Sequence, residues 1–224
     1  MKPCVVEAHL LQAILIIAAM SLCFRVNAEP KDAETEAASN RVLPIVKVFN
    51  TSQKLWLYQQ NHSNQISLPE DMTGIPVEAM KENCIFLKKY NITKNDYHYW
   101  RKSNIANQWV ASHYYGKFFS EGGDGLGSMN VSDLSDSDIC PFEVMQLMYA
   151  DKNCSVFLVT PLEDGAQPGC ELYVRNRAVS HGPTENCSDY YDTLCTQKFV
   201  LYHSACQNVA KGAQNERKES RRKK

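Results

Sequence analysis

The stretch GCELYVRN, residues Gly169–Asn176, has the alternating pattern of a β-strand. Successive side chains of a strand point to opposite faces, so Glu171, Tyr173 and Arg175 share one face and the apolar residues between them share the other. Alternation alone favours the apolar face as the buried one, with Glu171 in solvent. The opposite orientation would place a carboxylate inside the protein, and the pattern leaves both orientations open.

Other segments rich in Tyr, Val, Phe and Trp also predict strands, because these residues suit a pleated, half-buried surface. The predicted strands are Lys54–Gln59, Cys84–Tyr90, Tyr97–Lys102, Trp109–Phe119, Glu143–Tyr149, Cys154–Thr160 and Glu171–Arg175. The glycine-containing segments Glu121–Ser128 and Leu162–Gly169 predict turns.

One late segment, CSDYYDTLCTQKFV (Cys187–Val200), predicts a helix. Its residues Tyr191, Leu194, Cys195 and Phe199 recur at helical spacing, and Ser188 or Asn186 would cap its start. Seven or eight short strands followed by one helix predict a mainly β protein built as a closed or nearly closed antiparallel barrel. An immunoglobulin-like sandwich fits the late helix and the cysteine spacing less well.

The two ends of the chain differ from its middle. Residues 1–28 combine Lys2, an apolar run and small residues before Glu29, as a secretory signal peptide does. Residues 29–42 then form an Ala/Glu-rich lead-in, residues 43–210 the domain, and residues 211–224 a basic tail. The tail carries a net charge of +5 against −7 for residues 29–210, and we expect it to be disordered, with polyanion binding as the alternative.

Cysteines and glycosylation sequons both indicate an extracellular protein. Seven cysteines follow the signal peptide, and most should pair in an oxidising compartment. Potential N-glycosylation sites occur at Asn50, Asn61, Asn91, Asn130, Asn153 and Asn186.

Catalytic and metal motifs are missing from the sequence. It has no nucleophile elbow, metalloprotease helix, P-loop or C-x-x-C pair. The acidic run Asp133–Cys140 lacks the Gly and Glu that complete an EF-hand loop, and His113 is expected to line a cavity or the surface. We therefore expect no enzyme activity, metal or cofactor.

Three stretches resemble the tick salivary lipocalins, the group that includes the histamine-binding proteins. They are NTSQKLWLYQQN (Asn50–Asn61), CIFLKKYNIT (Cys84–Thr93) and GCELYVRN with the cysteines that follow it. The resemblance extends from about Leu43 to Cys206, although the general lipocalin G-x-W signature is absent. It implies an eight-stranded antiparallel lipocalin barrel with a C-terminal helix, which has room for one small ligand.

The resemblance also implies disulfides and a ligand site. By family similarity Cys84 would pair with Cys206, Cys154 with Cys187 and Cys170 with Cys195, which leaves Cys140 as the odd thiol. The family motif that pairs Glu171 with Tyr173 implies an inward carboxylate with an aromatic wall, suited to an ammonium ligand.

Other features bear on the ligand class. Ser155 stands where amine-binding members have Asp, and no acidic residue follows LWLYQQN before Glu70, which weakens the case for an amine. Arg175 shares the face of Glu171 and would either neutralise it or bind a carboxylate ligand. Trp56, Tyr58 and Trp109 are further candidate pocket residues, with plain barrel core as the alternative.

The predicted function is therefore stoichiometric binding by a secreted monomer without nucleic-acid or membrane partners. The ligand would be a host inflammatory mediator, either a biogenic amine such as histamine or serotonin, or an eicosanoid or fatty acid. Inhibition of a host plasma protein, such as a complement component, through surface loops is the second hypothesis.

Overall fold

The computed structural model describes residues 42–62, 81–120, 125–135 and 139–207. The predicted signal peptide, the lead-in up to residue 41 and the basic tail lie outside these residues. Within the described part, no helix is long and apolar enough to cross a membrane.

Eight antiparallel strands of the described chain close into a barrel, because β1 pairs with both β8 and β2. A short ninth strand pairs with the end of β1. The strands are β1 Leu55–Gln60, β2 Asn83–Ile92, β3 Asp96–Ile105, β4 Gln108–Phe119, β5 Ser128–Asp133, β6 Pro141–Ala150, β7 Cys154–Pro161, β8 Gly169–Arg175 and β9 Phe199–Val200. The predicted lipocalin barrel is confirmed, and the strands that the sequence analysis missed are β5 and β9.

A short helix that the sequence analysis also missed, α1 (Pro44–Phe49), closes one end of the barrel. Proline at its first position suits a helix start, since the missing N–H has no partner in the first turn anyway. Phe49 stacks on Tyr97, Phe118 and Phe157, with ring centroids 4.8, 6.3 and 5.3 Å away. This end, the helix end of the barrel, is therefore filled by aromatic side chains.

A tight turn fixes α1 against the strands. The N–H of Ile45 donates to the carbonyl of Leu126 over 2.9 Å, and Gly127 follows with a φ of +98°. A Cβ on Gly127 would lie 2.7 Å from Cγ2 of Ile45, so both the dihedral angle and the space require glycine there.

The barrel wall is buried on both of its faces at β8. The inner face contributes to the core inside the barrel, whereas Cys170, Leu172 and Val174 belong to a second apolar cluster outside it. Helix α2 (Glu185–Leu194) covers that cluster and contributes the buried Tyr191. The apolar face of β8 therefore points away from the barrel interior.

The predicted C-terminal helix is confirmed, but its bounds were wrong. The helix ends at Leu194, so Cys195 and Phe199 lie beyond it, and Leu194 and Phe199 are exposed. Its N-cap position is Thr184, without a side-chain capping bond, rather than Asn186 or Ser188.

The three disulfides inferred from the resemblance are all present. They are Cys84–Cys206, Cys154–Cys187 and Cys170–Cys195. The expectation that Cys140 is the odd thiol is not met in the structure, where Cys140 is disulfide-bonded.

Candidate ligand-binding cavity

Glu171 and Tyr173 point into the barrel. Tyr173 is buried in the inner core with its ring 5.7 Å from that of Phe157, and both Glu171 and Tyr173 line an interior cavity. The alternation of β8 had favoured the opposite orientation. It was misleading because α2 covers the outer face of β8, which leaves the polar face to line the inside.

The cavity has a volume of about 290 Å³. It lies at the end of the barrel opposite α1, where β1 ends and where β2, β6 and β8 begin; we call this the cavity end. Its charged and phenolic lining consists of Glu82, Glu143, Glu171, Arg101, Tyr99, Tyr114 and Tyr173. An interior lined by so many polar groups suits a polar or charged ligand.

Arg101 is held by a carboxylate within this lining. Both of its terminal nitrogens donate to Glu82, and the bond from Nη2 to Oε2 measures 2.8 Å. Burial alone would raise the pKa of Glu82, but the hydrogen bond and charge of Arg101 outweigh it, and the pKa lies below its usual value. The Glu82–Arg101 pair is therefore ionised and contributes no net charge.

Glu143 and Glu171 supply the remaining acidic groups. Burial, and after it the charge of Glu171, raises the pKa of Glu143 to about 8, although Arg101 opposes the shift. Glu143 therefore holds its proton at neutral pH while the cavity is empty. Glu171 accepts a hydrogen bond of 2.8 Å from the Tyr173 hydroxyl, which orients its carboxylate.

Aromatic rings form the wall around these carboxyl groups. Tyr99 and Tyr114 meet edge to face with centroids 5.7 Å apart, and Tyr114 meets Phe142 in the same way at 5.5 Å. Burial raises the pKa of Tyr99 and of Tyr173, so both phenols are neutral. Neutral phenols and π-faces next to carboxylates are typical of sites that bind organic cations.

Arg175 does not join the cavity. It lies at the helix end of β8, where its Nη2 donates to the carbonyl of Val48 in α1 over 3.2 Å. The two roles considered for it, neutralising Glu171 or binding a ligand carboxylate in the same pocket, do not fit this position.

The three other predicted pocket residues, Trp56, Tyr58 and Trp109, lie with the outer cluster instead. Trp56 is fully buried there, and its indole Nε1 donates to Oδ1 of Asn176 over 2.8 Å. The alternative interpretation as core fits Trp56 only as part of this outer cluster and not as part of the barrel interior. His113 also lies on the outer face, stacked on Trp100 at 4.8 Å.

The sequence analysis missed Glu82, Arg101 and Glu143. It looked for a second carboxylate between LWLYQQN and Glu70, whereas Glu82 follows later, directly before β2. Glu143 was included in a predicted strand without a role. The spacing along the strand was the signal available for Glu143. It lies two residues before Met145, which is buried in the core, so the two side chains share the inner face.

A sheet closed through β1, plugged at one end by a helix and hollow at the other, defines the class of protein as a lipocalin. The family model for the tick histamine binding protein matches residues 33–208, and the chain belongs to that family. It is therefore a small-molecule-binding lipocalin, and its three disulfides fit the extracellular setting of the family.

The other comparisons do not identify a ligand for this chain. No curated protein matches the chain. Among solved structures, japanin from Rhipicephalus appendiculatus bound to cholesterol is 14% identical, with a TM-score of 0.47, and the match covers 70% of this chain and 97% of japanin. The siderocalin Ex-FABP is 13% identical, with a TM-score of 0.47, and that match covers 69% and 95%. Likenesses this distant carry no argument about what this chain binds.

Proposed function

We propose that this chain is a secreted scavenger that binds a small organic cation in its cavity. Histamine and serotonin represent the ligand class, and binding would withdraw such an inflammatory mediator from the host during blood feeding. The mechanism is stoichiometric binding without turnover, so abundance and affinity determine its effect.

The excess of carboxyl groups in the cavity carries this proposal. Of the acidic and basic residues in its described lining, Arg101 is already paired with Glu82, and the others are Glu143, Glu171 and the exposed His62, so carboxyl groups outnumber basic groups. An unneutralised carboxylate in a region of low dielectric is costly, so a cationic ligand that pairs with it gains affinity.

The size of the cavity also supports a small ligand. Ligand pockets usually measure about 300–1,000 Å³, and a cavity of about 290 Å³ lies at the lower limit. A single-ring amine fits this space, with its ammonium at Glu171 and its ring against Tyr99 and Tyr114.

A lipid acid is the weaker candidate. Arg175 lies at the other end of the barrel, and the guanidinium of Arg101 is occupied by Glu82. A carboxylate ligand would have to displace Glu82 and then lie close to Glu171.

Isothermal titration of the refolded, disulfide-checked chain Glu29–Lys224 tests the proposal. Histamine, serotonin and an arachidonate-derived acid are the ligands, and Glu171→Gln is the principal variant. The matched control is Glu163→Gln, because Glu163 is exposed beyond β7 and is not in the cavity lining.

We expect saturable heat with an amine that Glu171→Gln abolishes and Glu163→Gln leaves unchanged. Heat with the lipid acid alone that is lost in Arg101→Gln would show that the ligand is a carboxylate and not an amine. No heat with any of the three would contradict the scavenger function and favour a host protein as the target.

We also propose that the secreted chain is glycosylated. All six sequon asparagines lie in the described part of the chain, and Asn50, Asn91 and Asn186 are exposed there. Mass spectrometry of the secreted protein before and after treatment with a peptide N-glycosidase identifies the occupied sites.

A further inference from the structure

Basic side chains from β2 flank the loop Asn50–Lys54, which joins α1 to β1 at the helix end of the barrel. Lys88 donates to the carbonyl of Ser52, and Lys89 donates to Oδ1 of Asn50 over 2.7 Å. Within the loop, Nζ of Lys54 lies 4.4 Å from the centre of the Phe86 ring. Three ammonium groups thus belong to this loop or bind to it.

Arg177 brings further positive charge to the same loop. Its N–H donates to Oε1 of Gln53 over 3.1 Å, and its Nη2 donates to the carbonyl of Lys152 over 3.0 Å. Burial, and after it the charge of Arg177, lowers the pKa of Arg175, as expected where cations crowd together. We call Lys54, Lys88, Lys89, Lys152 and Arg177 the basic band.

Two surface clefts lie along the basic band. One, of about 290 Å³, is lined by Lys54 and Lys88, and the other, of about 560 Å³, is lined by Lys152, Arg177 and His181. No acidic residue is among the described lining of either cleft.

The acids nearest the larger cleft are Asp151 and Glu185. Asp151 is engaged internally: its carboxylate accepts the N–H groups of Asn153 and Cys154 at 2.7 and 2.8 Å and the Thr184 hydroxyl at 2.5 Å. Glu185 is exposed at the start of α2. A band this basic within residues 29–210, whose net charge is −7, marks a local site for an anion.

We propose that the basic band is a docking surface for a sulfated polysaccharide chain. Two clefts connected through the contact between Gln53 and Arg177 suit an extended polymer with repeated charges better than a single small anion. An anionic membrane is a weaker partner, because none of the large apolar residues exposed on the described surface lines either cleft. Docking here leaves the cavity, which lies at the opposite end of the barrel, accessible to its ligand.

The first test measures binding of a heparin oligosaccharide to the unglycosylated chain Glu29–Lys224 over a series of salt concentrations. The variant is Lys88→Gln/Lys152→Gln, and the matched control is Lys81→Gln/Lys198→Gln, which removes the same charge elsewhere. Lys198 is ion-paired with Asp192 at 2.6 Å, and Lys81 precedes Glu82 at the cavity end.

We expect the band variant to bind up to about 25-fold more weakly, since it removes two lysines and each exposed ion pair is worth up to about fivefold. Its affinity should also depend less steeply on salt, and the control should match the parent. All variants should unfold at the same temperature as the parent. Equal affinity of the band variant and the parent would overturn the proposal and assign heparin binding to the basic tail. Tighter binding to phosphatidylserine vesicles than to heparin would also overturn the proposal.

The second test asks whether N-glycans block the band, because the sequons at Asn50 and Asn153 lie within it. Ser52→Ala/Ser155→Ala removes both sequons but keeps the two asparagines that Lys89 and Arg177 contact. Heparin binding by both the secreted parent and this variant is the expected result. Binding by the variant alone would overturn the proposal for the secreted protein.

Discussion

The hydroxyl of Tyr173 donates a hydrogen bond of 2.8 Å to Oε2 of Glu171, two residues earlier on the inner face of β8. The bond joins the two side chains that the family motif brings to the cavity. It holds Oε2 in place, and under the proposed function the other oxygen would pair with the ligand.

Replacing Tyr173 by Phe should lower the free energy of unfolding by about 1.5–3 kcal/mol, the value of a hydrogen bond to a charged group. The phenyl ring keeps its packing against Phe157, so the barrel should still form. Tyr191→Phe is the comparison, because Tyr191 donates to a neutral carbonyl, that of Gln197, at 3.2 Å. Urea denaturation measures both, and a loss in Tyr173→Phe no larger than that in Tyr191→Phe would contradict the expectation.

Glu143 should make the empty protein less stable as the pH rises. Its pKa is about 8 in the folded protein against an ordinary 4.5, so the folded chain holds a proton that the unfolded chain has released. The stabilisation is complete below about pH 4.5 and is lost as the pH rises through 8. Glu143→Gln should therefore raise the free energy of unfolding at pH 8 by roughly 3 kcal/mol and change it little at pH 5.

Glu163→Gln is the control for this measurement, since Glu163 is exposed and lies outside the cavity lining. A pH-independent effect of Glu143→Gln would show that Glu143 is ionised throughout, contrary to the structure.

Cation binding should release a proton from Glu143. A cation in the cavity favours the carboxylate form, so the complex binds fewer protons than the empty protein, and by linkage the affinity rises between about pH 6 and 8. Titration in buffers of different ionisation enthalpy measures the proton directly. Glu143→Gln should remove the release, and an unchanged release in that variant would assign the proton to another group.

Glu82→Gln should weaken the preference of the cavity for cations. The change leaves the guanidinium of Arg101 without its carboxylate, which should lower the free energy of unfolding by about 3 kcal/mol. It should also weaken amine binding at least about tenfold, because the cavity gains one positive charge. The double variant Glu82→Gln/Arg101→Gln restores the net charge and should bind amines within about threefold of the parent; the same loss in both variants would contradict the charge argument.

The disulfides should differ in their contribution to stability. Cys84–Cys206 closes a separation of 122 residues and Cys170–Cys195 one of 25. Chain entropy then predicts losses of about 5 and 3.5 kcal/mol when each pair is replaced by serine. Chemical denaturation of the two double variants measures the difference, and a larger loss for Cys170–Cys195 would show that local packing, not loop length, dominates.

Much of the barrel was predictable because its strands are long and rich in β-branched and aromatic residues. Strand β5 was not, since SMNVSD alternates weakly and follows a glycine-rich turn. Helix α1 was missed because six residues are too few to show a helical period.

The cavity was predictable only in part, and mainly through resemblance. Glu171 was identified from a family motif, while its own strand pattern favoured the wrong face, because α2 covers the apolar face from outside and the polar face lines the cavity. Glu82 and Arg101 meet only through the pairing of β2 with β3, a contact that neither local segment reveals.

The outward direction of Cys170 also bears on how this scaffold could be engineered. Its bond to Cys195 fastens β8 from outside, while the adjacent Glu171 lines the cavity. The disulfide and the cavity-lining side chains thus lie on opposite faces of the same strand. A library that randomises the inward positions can therefore seek new specificities without disturbing the covalent frame that holds the barrel together.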